Sequence, residues 1–225
     1  MRAPLSIIIP TLNAEAGLAT TLEALMEGLS AGLIREVIVS DGGSADRTLA
    51  IADEAGCEIV SGTPSRGRQL RRGAEGAKGE WLLFLHADTI LAPGWAAEVA
   101  GHMTSGKVGY FRLRFNAKGF GARWVAGWAN LRSALFGLPY GDQGLLVPLS
   151  VYRAAGGYPE IPLMEDVALA RALKGQLTGI DCDAVTSWER YERAGWLKRG
   201  TRNIVTLLRY FFGVSPDRLA EAYRK

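Results

Sequence analysis

The sequence contains little cysteine, little histidine and no long apolar run. It has two cysteines, Cys57 and Cys182, in 225 residues, which are too few for a disulfide framework. No run approaches the ~20 apolar residues that a membrane-spanning helix needs. The chain starts almost directly with a strand-like segment and shows no secretory signal pattern. We therefore expect a cytoplasmic protein, with the inner face of the cell membrane as an alternative location.

Acidic residues are missing from one long stretch of the chain. None occurs between Glu98 and Asp142, although six basic residues lie there, and a second basic group lies near the carboxyl terminus. The net charge of +3 is nevertheless too small to indicate a nucleic-acid-binding protein. Local basic stretches of this kind suit phosphate-bearing ligands or an anionic membrane surface, and they also occur as ordinary solvated faces.

Three common catalytic motifs are absent. The turn at Pro10–Glu15 lacks the G-x-G-x-x-G of dinucleotide-binding folds, and no G-x-x-x-x-G-K-[ST] phosphate loop occurs anywhere. The segment 42–46 resembles a nucleophile elbow but has Asp46 where the final glycine should be. These absences argue against a nicotinamide dehydrogenase, a P-loop enzyme and a serine hydrolase.

The first half of the chain alternates apolar runs with helical spacing. Such short unbroken runs are typical of strands covered on both faces of a parallel sheet. The pattern predicts strands at 5–9, 36–40, 57–60 and 81–85, and helices at 14–29, 46–55 and 66–78. In this order they predict an α/β fold with a mostly parallel central sheet and helices on both faces.

The second half is less regular, and no linker separates it from the first. We expect strands at 108–115 and 145–147, a turn at 141–144, and helices at 164–173 and 195–212. The aromatic and glycine-rich stretch 119–136 receives no assignment. The chain therefore reads as one domain with a first half at 1–92, a modified second half at 93–190, and amphipathic helices at 191–225.

Polar and acidic side chains lie at the ends of predicted strands or in turns and helix starts beside them, and open α/β sheets bind ligands at the carboxyl ends of their strands. They are Asn13, Glu15, Asp41, His86, Asp88, Asp142, Glu165 and Asp166. Carboxylates of this kind suit manganese or magnesium, which in turn bridge a diphosphate. Individually each has a simpler explanation: Asp-Gly-Gly forms turns, and Glu165 and Asp166 suit the amino terminus of a helix.

The combination is more specific than any single member. Its order and intervals resemble family 2 glycosyltransferases of the GT-A fold, and the resemblance rests on Pro10-Thr11-Leu12-Asn13, Asp41-Gly42-Gly43-Ser44-Ala45-Asp46, His86-Ala87-Asp88 and Glu165-Asp166. Other segments are similar to a short bacterial subgroup called arsenosugar-biosynthesis-like glycosyltransferases. These are Arg66-Gly67-Arg68, Gly141-Asp142-Gln143, Thr186-Ser187 and Gly213-Val214-Ser215-Pro216.

The resemblance implies an inverting transfer from a nucleoside-diphosphate sugar, with UDP favoured, assisted by Mn²⁺ or Mg²⁺. It implies that residues 1–92 bind the nucleotide sugar and that residues 93–190 bind the acceptor and carry catalysis. It implies that the donor is bound by Pro10, Thr11, Asn13, Glu15, Asp41, Arg66, Arg68, Ala87 and Asp88. Asp88 would ligate the metal. His86 occupies the position of the expected first acidic residue, and its role as a second metal ligand stays open. Asp166 would be the general base and Glu165 would position the acceptor. Contacts with acceptor or phosphate are expected from Asp142, Gln143 and Arg190.

Two other functions stay open. A nucleotidyltransferase of similar fold would use the metal at a nucleoside triphosphate, but it normally has a glycine-rich basic turn after the first strand. A non-catalytic sugar-nucleotide-binding protein would need no base. The acceptor is unknown, and a lipid-linked one is open because residues 195–212 resemble an interfacial helix. An ordinary helix packed on the domain has the same pattern.

Overall fold

The computed structural model describes residues 3–117, 119–188 and 195–224. In this part of the chain one sheet has the strand order β3-β2-β1-β4-β7-β6-β8-β5. The strands are β1 Leu5–Thr11, β2 Ile34–Asp41, β3 Glu58–Ser61, β4 Trp81–Phe84, β5 Thr89–Leu91, β6 Val108–Phe115, β7 Leu145–Pro148 and β8 Leu177–Thr186. The helices are α1 Glu15–Ser30, α2 Thr48–Glu54, α3 Arg66–Glu75, α4 Trp95–Met103, α5 Phe120–Phe136, α6 Leu149–Ala154, α7 Glu165–Ala172, α8 Trp196–Phe211 and α9 Pro216–Arg224. A short 3₁₀ helix, Gly141–Gln143, precedes β7.

The first four strands pair in parallel, as their apolar runs predict. Alternate side chains of β1 enter two different cores, because successive residues of a strand point to opposite faces. Ile7 and Ile9 pack with Leu18 of α1 and Trp95 of α4, whereas Ile8 packs on the opposite face with Leu70 of α3. Helices therefore cover both faces of the sheet.

Strand β1 continues two residues beyond its predicted end, through Pro10 to Thr11. Leu5 and Thr11 hydrogen-bond towards β2, whereas Ile8 bonds towards β4. Pro10, which has the same parity as Ile8, therefore directs its nitrogen to the β4 side, where the pairing has already ended at Phe84. A proline without an N–H is tolerated there because that position needs no donor.

The second half mixes strand directions. Strand β7 is antiparallel to both β4 and β6, and β8 is parallel to β6 but antiparallel to β5. The strand at Val108–Phe115 has the predicted bounds, whereas β5, β8, α4, α5 and α6 had no assignment from the sequence. Helix α3 ends at Glu75 rather than at the predicted residue 78.

Two helices that pack against each other form the end of the described chain. Helix α8 matches the predicted basic helix within one residue at each end, and α9 follows it after a short turn. Across the residues that the structure describes, every helix is too short or too polar to cross a bilayer.

Candidate functional site

The turns after β1 and β2 meet at the carboxyl edge of the sheet. Asn13 lies in the left-handed region at φ 50° and joins them. Its Oδ1 accepts a hydrogen bond from the Ala45 N–H at 2.9 Å, and its own N–H donates to Ser44 Oγ at 2.8 Å. A short polar side chain tolerates this conformation better than a bulky one. The two turns thus form one rigid wall.

Asp41 is fully buried beneath this wall. Its carboxylate accepts hydrogen bonds from the Thr11 hydroxyl at 2.8 Å and from the Gly43 and Ser44 N–H groups at 2.7 and 2.8 Å. Burial alone would raise the pKa of Asp41, but hydrogen bonds from Ser44, Thr11 and Gly43 hold it below its ordinary value. Asp41 therefore shapes the turn from inside, and its contact with a nucleotide base stays a prediction.

A cleft of about 960 Å³ opens beside these turns. Six of the nine predicted donor-binding residues line it, namely Pro10, Thr11, Asn13, Arg66, Ala87 and Asp88. The other three predicted residues have different surroundings. Asp41 lies beneath the turn, Glu15 accepts a hydrogen bond from the Arg47 N–H at 3.0 Å, and Arg68 pairs with Glu160 at 3.1 Å on the surface.

Gln69 of α3 supports the site from below, although none of the motifs indicates it. Its buried amide donates to the carbonyl oxygens of Thr11 at 2.7 Å and Ser40 at 3.0 Å, so it ties together the ends of β1 and β2. The available signal is a glutamine within a basic segment. The sequence alone does not show that this face of α3 is covered, which is what makes the amide need hydrogen-bond partners.

A second cleft of about 370 Å³ adjoins the first. Arg66, His86 and Asp88 line both clefts, so they stand at the junction. The second cleft also contains Asp142, Glu165 and Asp166, which lie far apart in the sequence. Of the three predicted acceptor or phosphate residues, Asp142 lines this cleft. Gln143 is fully buried beneath the cleft, where it donates to the Phe111 carbonyl at 3.1 Å, and Arg190 lies outside the described residues.

Arg66 is a cation that lies among these carboxylates. Burial lowers its pKa, but Glu165, Asp166, Asp88 and Asp142 together raise the pKa above its ordinary value. Its Nε lies 3.8 Å from Glu165 Oε1. The guanidinium thus remains charged and gives the junction a fixed positive group that suits phosphate.

Glu165 and Asp166 form the first turn of α7 and have different environments. Glu165 is 3% exposed, and burial together with the neighbouring Asp166 raises its pKa to about 7, against the opposing effect of Arg66. Asp166 is better solvated, and its Oδ2 accepts a hydrogen bond from the Gly141 N–H at 3.0 Å. Met164, just before them, has a left-handed backbone at φ 68°, an uncommon conformation that turns the chain into this helix.

Asp142 has a buried oxygen, Oδ1, without a hydrogen-bond partner in the described chain. Burial raises its pKa to about 6, and Asp166 and Asp88 act in the same direction against Arg132 and Arg66. Arg132 is held behind it by a hydrogen bond to the Leu138 carbonyl at 2.9 Å. An unpartnered buried oxygen is costly unless a ligand satisfies it.

The candidate metal-coordinating side chains in this cleft suit a cation whose remaining coordination positions are filled by a bound substrate. Asp88 and Asp142 offer hard oxygen atoms in one cleft, and the His86 ring lies beside them against the backbone of Gly141. Within the described residues, no three His, Cys, Asp or Glu side chains are arranged to enclose a metal by themselves. Mn²⁺ and Mg²⁺ are commonly bound by one or two carboxylates together with substrate phosphates and water, so the residues fit such an ion.

The parallel half-sheet, the carboxyl-edge cleft and the mixed second half define an α/β protein of the GT-A fold. Residues 6–148 match the family described as Glycosyl transferase family 2, so the chain belongs to that family. Solved structures share the fold. Glucosyl-3-phosphoglycerate synthase from Mycobacterium tuberculosis, in complex with Mn²⁺ and UDP-glucose, superposes with a TM-score of 0.65 at 20% identity, covering 91% of this chain and 77% of that chain.

Two further proteins are similar. Staphylococcus aureus TarS 1–349 gives a TM-score of 0.64 at 14% identity over 96% of this chain and 69% of that chain. A PGL/p-HBAD biosynthesis glycosyltransferase from M. tuberculosis strain H37Rv is 38% identical in an alignment of 99 residues that covers 40% of this chain. The matched region spans 38% of that relative's length.

Proposed function

We propose that this protein transfers a sugar from a nucleoside-diphosphate sugar to a hydroxyl acceptor with inversion at the anomeric carbon. The observation that carries the proposal is the junction of the two clefts at Arg66, His86 and Asp88. A donor in the larger cleft would place its diphosphate at this junction, and its sugar would face the carboxylates of the smaller cleft. Family membership supports this reaction class.

Asp166 is the proposed general base. It lies in the wall of the smaller cleft, where the Gly141 N–H donates to Oδ2 and the Val167 N–H donates to Oδ1, and the carboxylate stays partly solvated. It would remove the acceptor proton as the hydroxyl attacks the anomeric carbon. Glu165 is nearly buried and contacts Arg66, so we assign it to positioning. Arg66 would offset negative charge on the departing diphosphate.

A divalent cation at Asp88, with Asp142 or His86 nearby, would supply further charge stabilisation to the departing diphosphate. We propose UDP as the nucleotide. Support comes from the solved relatives, whose structures contain UDP-glucose in the synthase and UDP-GlcNAc in TarS. The acceptor and the arsenosugar-like subgroup stay predictions from the sequence.

Asp166→Asn tests this proposal against the non-catalytic alternative. The amide keeps the shape of the side chain but cannot take a proton, so turnover of a UDP-sugar should fall by about 10²–10⁴-fold. Donor affinity, measured by calorimetry, should change by less than about threefold, which corresponds to about 0.7 kcal/mol. Unchanged turnover in the variant would contradict the assignment of the base. A wild-type protein that binds donors but never turns them over would support a sensor instead.

A further inference from the structure

Helix α5 carries its large apolar side chains on the outside. Its buried face consists mainly of small residues, including Ala122, Ala126 and Ala129. Large side chains that point outward recur at helical spacing along one face: Phe120 (77% exposed), Trp124 (47%), Trp128 (40%), Leu131 (49%) and Leu135 (65%). Apolar patches of this kind on a protein surface mark binding surfaces.

Helix α8 extends this surface. Val205, Leu208 and Phe211 are each about half exposed, and Phe212, just beyond the helix, is 86% exposed. We call the outward apolar side chains of α5 and α8 the apolar face. Neither helix contains an acidic residue, while Arg123, Lys198 and Arg209 are exposed.

A groove of about 330 Å³ runs between the two helices. Its outer walls are side chains of the apolar face, Trp128 and Phe136 from α5 and Leu208 and Phe211 from α8. Its lining also includes Tyr140, Asp142 and Asn203, which line the smaller cleft as well. The apolar groove therefore adjoins the proposed site of sugar transfer.

We propose that the apolar face docks on an anionic lipid bilayer, and that the groove takes the apolar chain of a membrane-borne acceptor. The proposal rests on the transfer reaction above and names its acceptor class. Aromatic and aliphatic side chains flanked by Lys and Arg are typical of interfacial helices. Charge favours a bilayer over a second copy of this chain, because a symmetric dimer would bring the same basic residues together.

Vesicle flotation tests the docking. Vesicles of phosphatidylcholine and phosphatidylglycerol should carry the wild-type protein, and added salt or pure phosphatidylcholine should weaken binding. Replacing Phe120, Trp124 and Leu135 with serine should reduce binding by at least about tenfold, since each loses apolar burial. The matched control replaces Met26 and Leu29, each 53% exposed on α1, with serine and should bind as the wild type does.

Native tryptophans report the orientation. Vesicles with brominated acyl chains should quench the fluorescence of Trp124 and Trp128, and the quenching should disappear when both are changed to phenylalanine. A wild-type protein that stays unbound, or a serine variant that floats equally well, would overturn the docking. A serine variant that changes a dimer into a monomer in solution would also overturn it, because the face would then join two copies.

Gly200 of α8 tests the groove itself. A Cβ at Gly200 would lie 3.8 Å from Val125 Cγ2, an ordinary contact, so Gly200→Ala should be tolerated. Gly200→Leu should fill the groove, because Gly200 is part of its wall. A dansyl-labelled fatty acid should show enhanced emission with the wild type and Gly200→Ala, and at least about tenfold weaker binding with Gly200→Leu. Equal binding by all three would refute the groove.

The two proposals fail in different ways. If the protein binds and turns over a UDP-sugar but ignores vesicles and the fatty acid, this inference is wrong and the proposed function stands. If it binds vesicles through the apolar face but no sugar nucleotide, the proposed function is wrong, and the acceptor assignment that rests on it falls as well.

Discussion

Glu165 offers a direct test of the site's electrostatics. The carboxyl group is almost completely buried at the start of α7, with Arg66 as its nearby cation and Asp166 as an adjacent anion. A buried carboxylate with incomplete pairing should cost stability once it ionises. Replacing it with glutamine keeps the shape of the side chain and removes the charge. We therefore expect Glu165→Gln to stabilise the protein at high pH.

The pKa of Glu165 sets the size and the pH window of this effect. Its pKa rises from 4.5 in the unfolded reference to about 7 in the folded protein. Between these values the folded chain binds more protons than the unfolded chain, so the free energy of unfolding falls as pH rises. The stability that the protonated Glu165 contributes is therefore fully present below pH 4.5 and is lost above pH 7. At about 1.4 kcal/mol per pKa unit the full loss is about 3 kcal/mol.

Urea unfolding at two pH values measures the prediction. At pH ~8 Glu165→Gln should unfold with a free energy about 3 kcal/mol higher than the wild type, and at pH ~5 the difference should be under about 1 kcal/mol. Asp142 titrates in both proteins, so its contribution cancels in the difference. Glu160→Gln is the matched control, because Glu160 forms an exposed pair with Arg68 and should change stability by less than about 1 kcal/mol. A Glu165→Gln variant less stable than the wild type at pH ~8 would refute the reasoning.

Two close backbone approaches give further predictions. A Cβ at Gly67 would lie 2.3 Å from the Pro159 carbonyl oxygen, so Gly67→Ala should lower the free energy of unfolding by about 1–3 kcal/mol. Gly76→Ala, at the other end of the same helix where a Cβ meets nothing, should be neutral or slightly stabilising in the same urea assay. A Cβ at Gly141 would lie 2.5 Å from His86 Nε2, so Gly141→Ala should displace the ring and reduce turnover by about a hundredfold, and unchanged steady-state kinetics would contradict this.

Much of the first half-sheet could be predicted because its strands are continuous apolar runs. Helix α5 could not, because its pattern is inverted: Ala126 and Ala129 face the core while Trp124 and Trp128 face outward. A hydrophobicity pattern shows that one face is apolar but not which face the protein buries.

Strand β8 could not be predicted either, for a different reason. It contains Asp181 and Asp183, which are poor strand formers. Both carboxylates form ion pairs with Arg112 on the neighbouring strand β6, at 2.8 and 2.6 Å. Such cross-strand pairs support a strand that its own composition does not favour, and they depend on a register that only the folded sheet supplies.

The candidate site is likewise only partly predictable from the sequence. The motifs indicated Asp88 and Asp166 as separate positions, and the structure brings them to one cleft. The central placement of Arg66 and the unpartnered oxygen of Asp142 depend on how α3, α7 and the 3₁₀ helix pack together. Tertiary packing of this kind leaves no local signal in the sequence.

Calorimetric titration with UDP and GDP, with and without Mn²⁺, tests the central claim most directly. We expect UDP to bind in the presence of Mn²⁺, with the metal-dependent part of the affinity lost in Asp88→Ala. The folded state of that variant can be checked by its urea unfolding curve. Failure of the folded wild-type protein to bind either nucleotide, or Mn²⁺-dependent binding unchanged in Asp88→Ala, would contradict the proposed donor site.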